Sequence, residues 1–123
     1  MKILVIEDEK LLADSIKTLL EGKGFEVEVA YDGETGAEYA ELGIYDLLIL
    51  DVMMPNMDGL DATRAIRALD RADAKVVPII AMTANAFDED AKACFEAGMN
   101  AHLAKPFQME KVVAVIAQFC RKA

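Results

Sequence analysis

The chain has 123 residues, of which 54% are hydrophobic, and 13 basic against 22 acidic side chains give a formal net charge of −9. This length can bury one core, and the hydrophobic content excludes a disordered polypeptide. The acidic surface would repel phosphate backbones and anionic lipid, so we expect neither nucleic acid nor membrane as a direct partner. No apolar run approaches the roughly 18 residues of a membrane span. The start, MKILVIEDE, meets acidic residues too early for a signal peptide, so we expect a cytoplasmic protein.

Short apolar runs alternate with longer amphipathic stretches along the whole chain. This pattern predicts five strands, at 2–6, 25–30, 47–50, 76–82 and 100–103. It predicts a helix after each strand, at 9–21, 33–43, 58–69, 88–97 and 108–121. We expect these five βα units to occupy residues 1–123 as a single domain, which leaves no room for an output domain.

Apolar side chains recur at helical spacing in three of these helices and predict which face each helix buries. The expected inward sets are Leu11, Leu12, Ile16, Leu19 and Leu20 in the first helix, Leu60, Thr63 and Ile66 in the third, and Val112, Val113, Ile116 and Phe119 in the last. Cys94 and Cys120 also fall in helical segments, without a metal-ligating partner at useful spacing. We expect reduced, packed thiols there rather than redox or metal-binding groups.

Strictly alternating βα units with apolar strands predict a doubly wound α/β fold, in which helices cover both faces of a parallel sheet. Right-handed crossovers place the carboxyl ends of all strands on one edge. Ligands of such sheets bind at that edge, where the strand order reverses. The usual order for five strands is 2-1-3-4-5, which makes the first and third strands neighbours at this position.

Polar residues follow the predicted strands where they would meet at this edge. Glu7 and Asp8 follow the first strand, Asp51 the third and Thr83 the fourth, while the fifth runs into Lys105. A lone carboxylate at the end of a buried strand would be costly to desolvate, so Asp51 needs a partner. Three carboxylates against one amine leave two negative charges, which one divalent cation would neutralise. Oxygen ligands with room for water favour Mg²⁺ over Zn²⁺ or Ca²⁺.

This combination of side chains suits phosphoryl transfer. A carboxylate beside Mg²⁺, a lysine and a hydroxyl can act as a nucleophile toward a phosphoryl group and form an acyl phosphate. Such a transfer needs mainly positioning and charge neutralisation. Mg²⁺ would bridge Asp51 and one phosphoryl oxygen, Lys105 would neutralise a second, and Thr83 would bind the third. Taken singly, an aspartate here could cap a helix and Thr83 could be an N-cap, so the hypothesis depends on the combination.

The chain resembles the receiver domains of response regulators in two-component signalling, over essentially its full length. The matching segments are ILVIEDE, DLLILDVMMPNMDG, PIIAMTANA and HLAKPF, in the order and spacing of that family. The first half resembles receivers fused to DNA-binding domains, while residues 62–87 resemble receivers attached to hybrid histidine kinases. The resemblance implies a flavodoxin-like fold. It also implies a switch that accepts a phosphoryl group from a histidine kinase or phosphotransfer protein and catalyses only its own phosphorylation and dephosphorylation.

The resemblance assigns the phosphoryl acceptor and the metal ligands. It implies that Asp51 is phosphorylated and that Mg²⁺ is held by Glu7, Asp8, Asp51 and the backbone carbonyl of Met53. Glu7 stands where Asp is common in the family, a change that can alter how water ligates the metal.

The resemblance also assigns the residues of the switch. Thr83 would move toward the phosphoryl group on activation, Lys105 would contact that group, and a cis bond would join Lys105 to Pro106. A downstream protein or output domain would bind residues 87–121. His102 departs from the family pattern, which has Tyr or Phe there; it either rotates inward as that aromatic does or is a partly exposed histidine without a role in signalling.

Three other functions fit parts of this pattern. A phosphorylation-independent docking module would have no need of an acidic cluster together with Thr83 and Lys105. A Mg²⁺-dependent aspartyl phosphatase usually carries a second aspartate two residues after the nucleophile, where this chain has Met53. A flavin-binding electron carrier needs a phosphate-binding loop after the first strand, where this chain has the acidic EDEK. The docking module is therefore the main alternative, and the phosphorylated switch is the function we expect.

Overall fold

The computed structural model describes residues 1–52, 54, 57–70, 72–83, 88–104 and 109–119. The strands are β1 (Lys2–Ile6), β2 (Glu26–Ala30), β3 (Leu47–Asp51), β4 (Ile79–Thr83) and β5 (Ala101–Ala104). The helices are α1 (Lys10–Glu21), α2 (Gly33–Ala40), α3 (Gly59–Arg67), α4 (Ala72–Val76), α5 (Asp88–Ala97) and α6 (Met109–Phe119). All strand pairs are parallel, in the order β2-β1-β3-β4-β5. The predicted fold class and strand order are confirmed.

The sheet separates two hydrophobic cores, because alternate side chains of each strand point to opposite faces. Helices α2, α3 and α5 contribute to one core, which includes Leu4, Leu48, Leu50, Ile66 and Cys94. Helices α1 and α6 contribute to the other, which includes Ile3, Ile49, Ile16, Leu20, Val112 and Ile116. Strand β3 is buried along its whole length, as its run of apolar residues predicts. In the described part of the chain no helix is both long and apolar enough to cross a bilayer.

The buried face of α1 is narrower than its sequence predicts. Leu11 and Leu19 were expected to face inward, but their exposed fractions are 86% and 51%. The residues that are buried are Ala13, Ile16 and Leu20. Because an α-helix has 3.6 residues per turn, Leu11 lies about 180° around the axis from Leu20 and cannot share its face. The inward faces expected of α3 and α6 are correct for Thr63, Ile66, Val112 and Ile116, which are buried.

The segment before β4 differs from its prediction. A strand was expected to begin at residue 76, but Val76 ends the short helix α4 and β4 begins at Ile79. Pro78 accounts for the late start, because it lacks a backbone N–H for the sheet and disfavours helix in the residue before it. Lys75 of α4 donates through Nζ to the carbonyl oxygens of Arg67 and Leu69, at 3.1 and 3.2 Å. Helix α4 therefore caps the end of α3.

Helix α2 ends earlier than its sequence predicts. Helix α2 ends at Ala40, and Gly43, where it was expected to end, has a φ of 68° in the turn that follows. A positive φ is readily adopted by glycine, so the residue marks the turn rather than the helix end.

Cys94 is a buried thiol packed in the core, as predicted. Cys120 lies outside the described residues.

Arg67, the last residue of α3, joins four elements at the edge of the sheet opposite the strands' carboxyl ends. Its Nε and Nη2 donate to the carbonyl oxygen of Gly98 at 3.0 and 2.8 Å, and Nη1 donates to that of Ala74 at 3.1 Å. Nη2 also donates to Asn100 Oδ1, at 2.9 Å, and the same oxygen accepts the backbone N–H of Ile79 at 2.9 Å. Burial lowers the pKa of Arg67. These bonds fix the ends of α3, α4 and α5 relative to the start of β4.

Glu28 attaches the edge strand β2 to its neighbours. Its carboxylate lies 2.9 Å from Lys2 Nζ of β1 and accepts a hydrogen bond of 3.0 Å from the Tyr45 hydroxyl. The hydrogen bond from Lys2, and then that from Tyr45, lower the pKa of Glu28. Burial, followed by the bond to Glu28, raises the pKa of Tyr45.

Replacing Arg67 should destabilise the fold substantially. Because a guanidinium that bonds several carbonyl groups is removed, we expect Arg67→Ala to lower the free energy of unfolding by about 2 to 3 kcal/mol in urea titrations. Arg64→Ala is the control, since Arg64 of the same helix is exposed and pairs only loosely with Asp61, at 3.4 Å. Its effect should stay below about 1 kcal/mol. Equal losses in the two variants would contradict a special role for Arg67.

The Glu28 interactions should make stability depend on pH. A carboxyl whose pKa is lowered by folding stabilises the protein only when ionised. The advantage of the wild type over Glu28→Gln should therefore be complete above the ordinary pKa of 4.5 and disappear as pH falls through the lower pKa of the folded state. We expect less than about 1 kcal/mol, because the pair is partly exposed to solvent, which screens the attraction. Unfolding in urea from pH 3 to 7 measures the difference, which should shrink in a Lys2→Met background.

Candidate metal centre

The pairing of β1 with β3 brings carboxylates together at the carboxyl edge of the sheet. Ile6 pairs with Leu50, so Glu7 and Asp51 follow as the next residues of two neighbouring strands. One carboxylate oxygen from each of Glu7, Asp8 and Asp51 lies within 4.8 Å of the others. Three of the residues singled out in the sequence therefore form one cluster, which we call the acidic cluster.

The acidic cluster is largely shielded from solvent. Glu7 is 0% exposed and Asp51 2%, while Asp8 is half-buried. The backbone N–H of Glu9 donates to Glu7 Oε2 at 3.0 Å, and this bond orients the Glu7 carboxylate. Two like charges about 4 Å apart repel by about 1 to 4 kcal/mol, depending on the dielectric. The three carboxylates offer only oxygen ligands and lie close together, two of them buried, so they fit a hard divalent cation such as Mg²⁺.

Helix α3 begins directly against the backbone of Asp51. After Asp51, the Val52 N–H donates to the Met82 carbonyl at 3.0 Å, and the Gly59 N–H donates to the Val52 carbonyl at 3.1 Å. The Asp58 side chain caps α3 by accepting the Asp61 N–H at 2.9 Å. A Cβ atom on Gly59 would lie 2.9 Å from the carbonyl carbon of Asp51 and 2.8 Å from Val52 Cα. Only glycine lets the helix approach Asp51 so closely.

Thr83 lies on the same edge as the acidic cluster, one strand further along. It is the last residue of β4, it is buried, and Met82 before it pairs with Asp51. Strand β5 continues the edge, since Ala104 pairs with Thr83. Met53, Lys105 and Pro106 lie outside the described residues, so their predicted roles, and the predicted cis bond, stay predictions.

His102 packs against an aromatic residue that the sequence did not single out. It lies in β5 opposite Ala81, and its partly buried ring stands edge-on to the ring of Phe95, at a centroid distance of 6.4 Å and an interplanar angle of 82°. Phe95 is 51% exposed on α5. An apolar residue on the polar face of a helix is the signal that could have identified it. The described position of His102 leaves its predicted part in switching untested.

The whole arrangement matches a known family. Residues 3–117 match the family model of the response regulator receiver domain. This chain therefore belongs to the receiver-domain family of two-component response regulators, and the predicted resemblance is confirmed.

Relatives of two kinds are similar to the chain. It is 37% identical to the transcriptional regulatory protein DltR of Streptococcus agalactiae over 116 residues, which cover 94% of this chain and 50% of that protein. It is 38% identical to the osmosensing histidine protein kinase SLN1 of Saccharomyces cerevisiae over 126 residues, which cover 98% of this chain and 10% of that protein. The chain thus spans half or less of these curated relatives.

A solved structure with bound metal is also similar. The receiver domain of sensor histidine kinase PA1611 from Pseudomonas aeruginosa is 36% identical, with a TM-score of 0.89 and 98% coverage of both chains. That crystal structure has a magnesium ion coordinated in its active-site cleft.

Mg²⁺ should stabilise the protein through the acidic cluster. At about 100 times its dissociation constant, a ligand of the folded state adds about 2.7 kcal/mol to the free energy of unfolding. We expect Asp8→Asn to raise the metal-free stability by about 1 kcal/mol, because it removes like-charge repulsion, and to reduce the stabilisation by Mg²⁺. Thermal unfolding with and without Mg²⁺ measures both effects. In the control Asp61→Asn, an exposed position on α3, the response to Mg²⁺ should match that of the wild type.

Proposed function

We propose that this protein is a phosphorylation-activated signalling switch of the cytoplasm. Asp51 would accept a phosphoryl group from a histidine kinase or a histidine phosphotransfer protein, in a reaction that requires Mg²⁺. The observation that carries this proposal is the acidic cluster, in which the oxygens of Glu7, Asp8 and Asp51 lie within 4.8 Å of one another at the reversal of strand order.

The reaction makes the Asp51 carboxylate a nucleophile. One carboxylate oxygen would form a bond to phosphorus as the phosphorus–nitrogen bond of a phosphohistidine breaks, and the ring nitrogen would leave with its electron pair and take a proton. Glu7, Asp8, Asp51 and the Met53 carbonyl would hold Mg²⁺. The ion would supply charge neutralisation for the incoming phosphoryl oxygens.

The remaining residues would position the phosphoryl group. Asp51 is 2% exposed at the end of β3, so its carboxylate would have little contact with water during the transfer. Lys105 would neutralise a second phosphoryl oxygen. Thr83 would move toward Asp51, and its hydroxyl would donate to the third.

Movement of Thr83 offers a route from the acidic cluster to a partner-binding surface. Thr83 pairs with Ala104 at the end of β5, and the same strand carries His102 against Phe95 of α5. A phosphoryl group that favours one position of Thr83 would shift the population of two surface states. We propose that a downstream protein or output domain recognises that difference within residues 87–121.

Phosphorylation by acetyl phosphate tests the proposal directly. We expect intact-protein mass spectrometry to show a gain of one phosphoryl group that requires Mg²⁺ and is lost in Asp51→Asn. Asp46→Asn is the matched control, because Asp46 precedes β3 at the opposite end of the same strand and binds the Lys2 N–H. It should be labelled like the wild type.

Beryllofluoride, which mimics the acyl phosphate, separates slow labelling from absent chemistry. If the wild type neither gains mass nor binds beryllofluoride in the presence of Mg²⁺, the proposal is contradicted. The docking-module alternative would then take its place.

A further inference from the structure

Gly33, the first residue of α2, is buried against the segment that leads into α3. A Cβ atom there would lie 3.1 Å from the carbonyl carbon of Met57 and 3.2 Å from its Cγ, and it would overlap the Met57 carbonyl oxygen. The closest neighbours are main-chain atoms, which cannot rotate away as the end of a side chain can. The backbone of Met57 therefore rests directly on Gly33.

Space, rather than backbone conformation, is what requires glycine at this position. Among the described glycines, positive φ angles occur at Gly24, Gly43 and Gly98, and Gly33 is not one of them. Alanine is also a better helix former than glycine, so the local preference of α2 would favour it. The contact with Met57 is the feature that opposes any larger residue.

Met57 is connected to Asp51 through Gly59, two residues further along the chain. Gly59 lies against the backbone of Asp51 and Val52 with no room for a Cβ atom. The segment Met57, Asp58, Gly59 is thus held between α2 on one side and the backbone of Asp51 on the other. A displacement of Met57 would be passed on to Gly59.

Both helix starts are fixed by side-chain caps, which restrict other ways of absorbing a displacement. Asp32 accepts the Thr35 N–H at 2.6 Å and its hydroxyl at 3.0 Å, and Asp58 caps α3. The Thr63 hydroxyl further donates to the Gly59 carbonyl at 2.7 Å. Moving Gly59 away from Asp51 would break bonds on the α3 side as well.

We propose that Gly33 is a positioning residue for Asp51. Because it has no side chain, Gly33 lets α2 approach the backbone of Met57. This contact keeps Gly59 packed against the Asp51 main chain and thereby sets the orientation of the Asp51 carboxylate within the acidic cluster. The proposal rests on the proposed function insofar as the cluster is a Mg²⁺ site, but its effect on Asp51 is independent of metal.

The test compares Gly33→Ala with Gly22→Ala. Gly22 ends α1 with a φ of −62°, and the nearest atom to its built Cβ is 3.4 Å away, so alanine fits there. In metal-free protein, we expect amide resonances of Asp51, Val52 and Gly59 to shift in Gly33→Ala and to keep their positions in Gly22→Ala. The Mg²⁺ dissociation constant, from titration of the Val52 resonance, should rise roughly tenfold in Gly33→Ala. Global destabilisation alone would not change either value in folded protein.

The outcomes separate this proposal from the proposed function. A wild type that fails to bind Mg²⁺ overturns the metal site, while the metal-free shifts still decide the role of Gly33. Unchanged Asp51 resonances together with unchanged Mg²⁺ affinity in Gly33→Ala would reduce Gly33 to a packing residue. If Gly33→Ala does not fold, Met57→Gly removes the Met57 Cγ atom from the contact and gives the main chain at residue 57 more conformational freedom. The same two measurements on that variant then confirm or overturn the proposal.

Discussion

Mutual repulsion of buried carboxylates is the constraint on which the rest of this structure depends. Glu7 and Asp51 are buried side by side because β1 pairs with β3. Two hydrophobic cores hold the strands in register on either side of the sheet, so the apolar interior maintains the acidic cluster. Carboxylates held together against their mutual repulsion favour the binding of a cation, and the bound cation then favours a group that brings further negative charge.

The functional edge and the opposite edge of the sheet are built by different means. At the carboxyl edge, glycines bring α2 and α3 close to the chain around Asp51, and main-chain contacts decide the geometry. At the other edge, the long side chain of Arg67 reaches across the ends of three helices. Close backbone packing restricts where the chain around Asp51 can lie, whereas a network of side-chain hydrogen bonds mainly stabilises the fold.

Features that depend on periodicity and strand ends were predictable, and those that depend on tertiary contacts were not. The apolar run of β3 predicted a central strand, and alternating βα units predicted that Asp51 would meet Glu7 and Asp8. Leu11 was wrongly predicted to face inward, because apolar character alone does not define the buried face of a helix. Helix α4 is short and held by Lys75, which no periodicity reveals. The sequence could have singled out Phe95 as an apolar residue on a polar helix face, but neither its pairing with His102 nor the contact of Gly33 with Met57 could be predicted, because each joins residues from separate elements.

The glutamates of β2 have a consequence for solubility. Strand β2 ends the strand order of the sheet, so one of its long edges faces away from any described strand. Exposed strand edges can pair with a second chain and seed aggregates, and natural proteins oppose this with charge. Glu26 and Glu28 alternate with valines along β2, and Lys2 and Tyr45 bind the carboxylate of Glu28. Lys2 balances the charge of Glu28, whereas exposed Glu26 keeps a negative charge on this edge strand, which disfavours edge-to-edge association between copies of an already acidic protein.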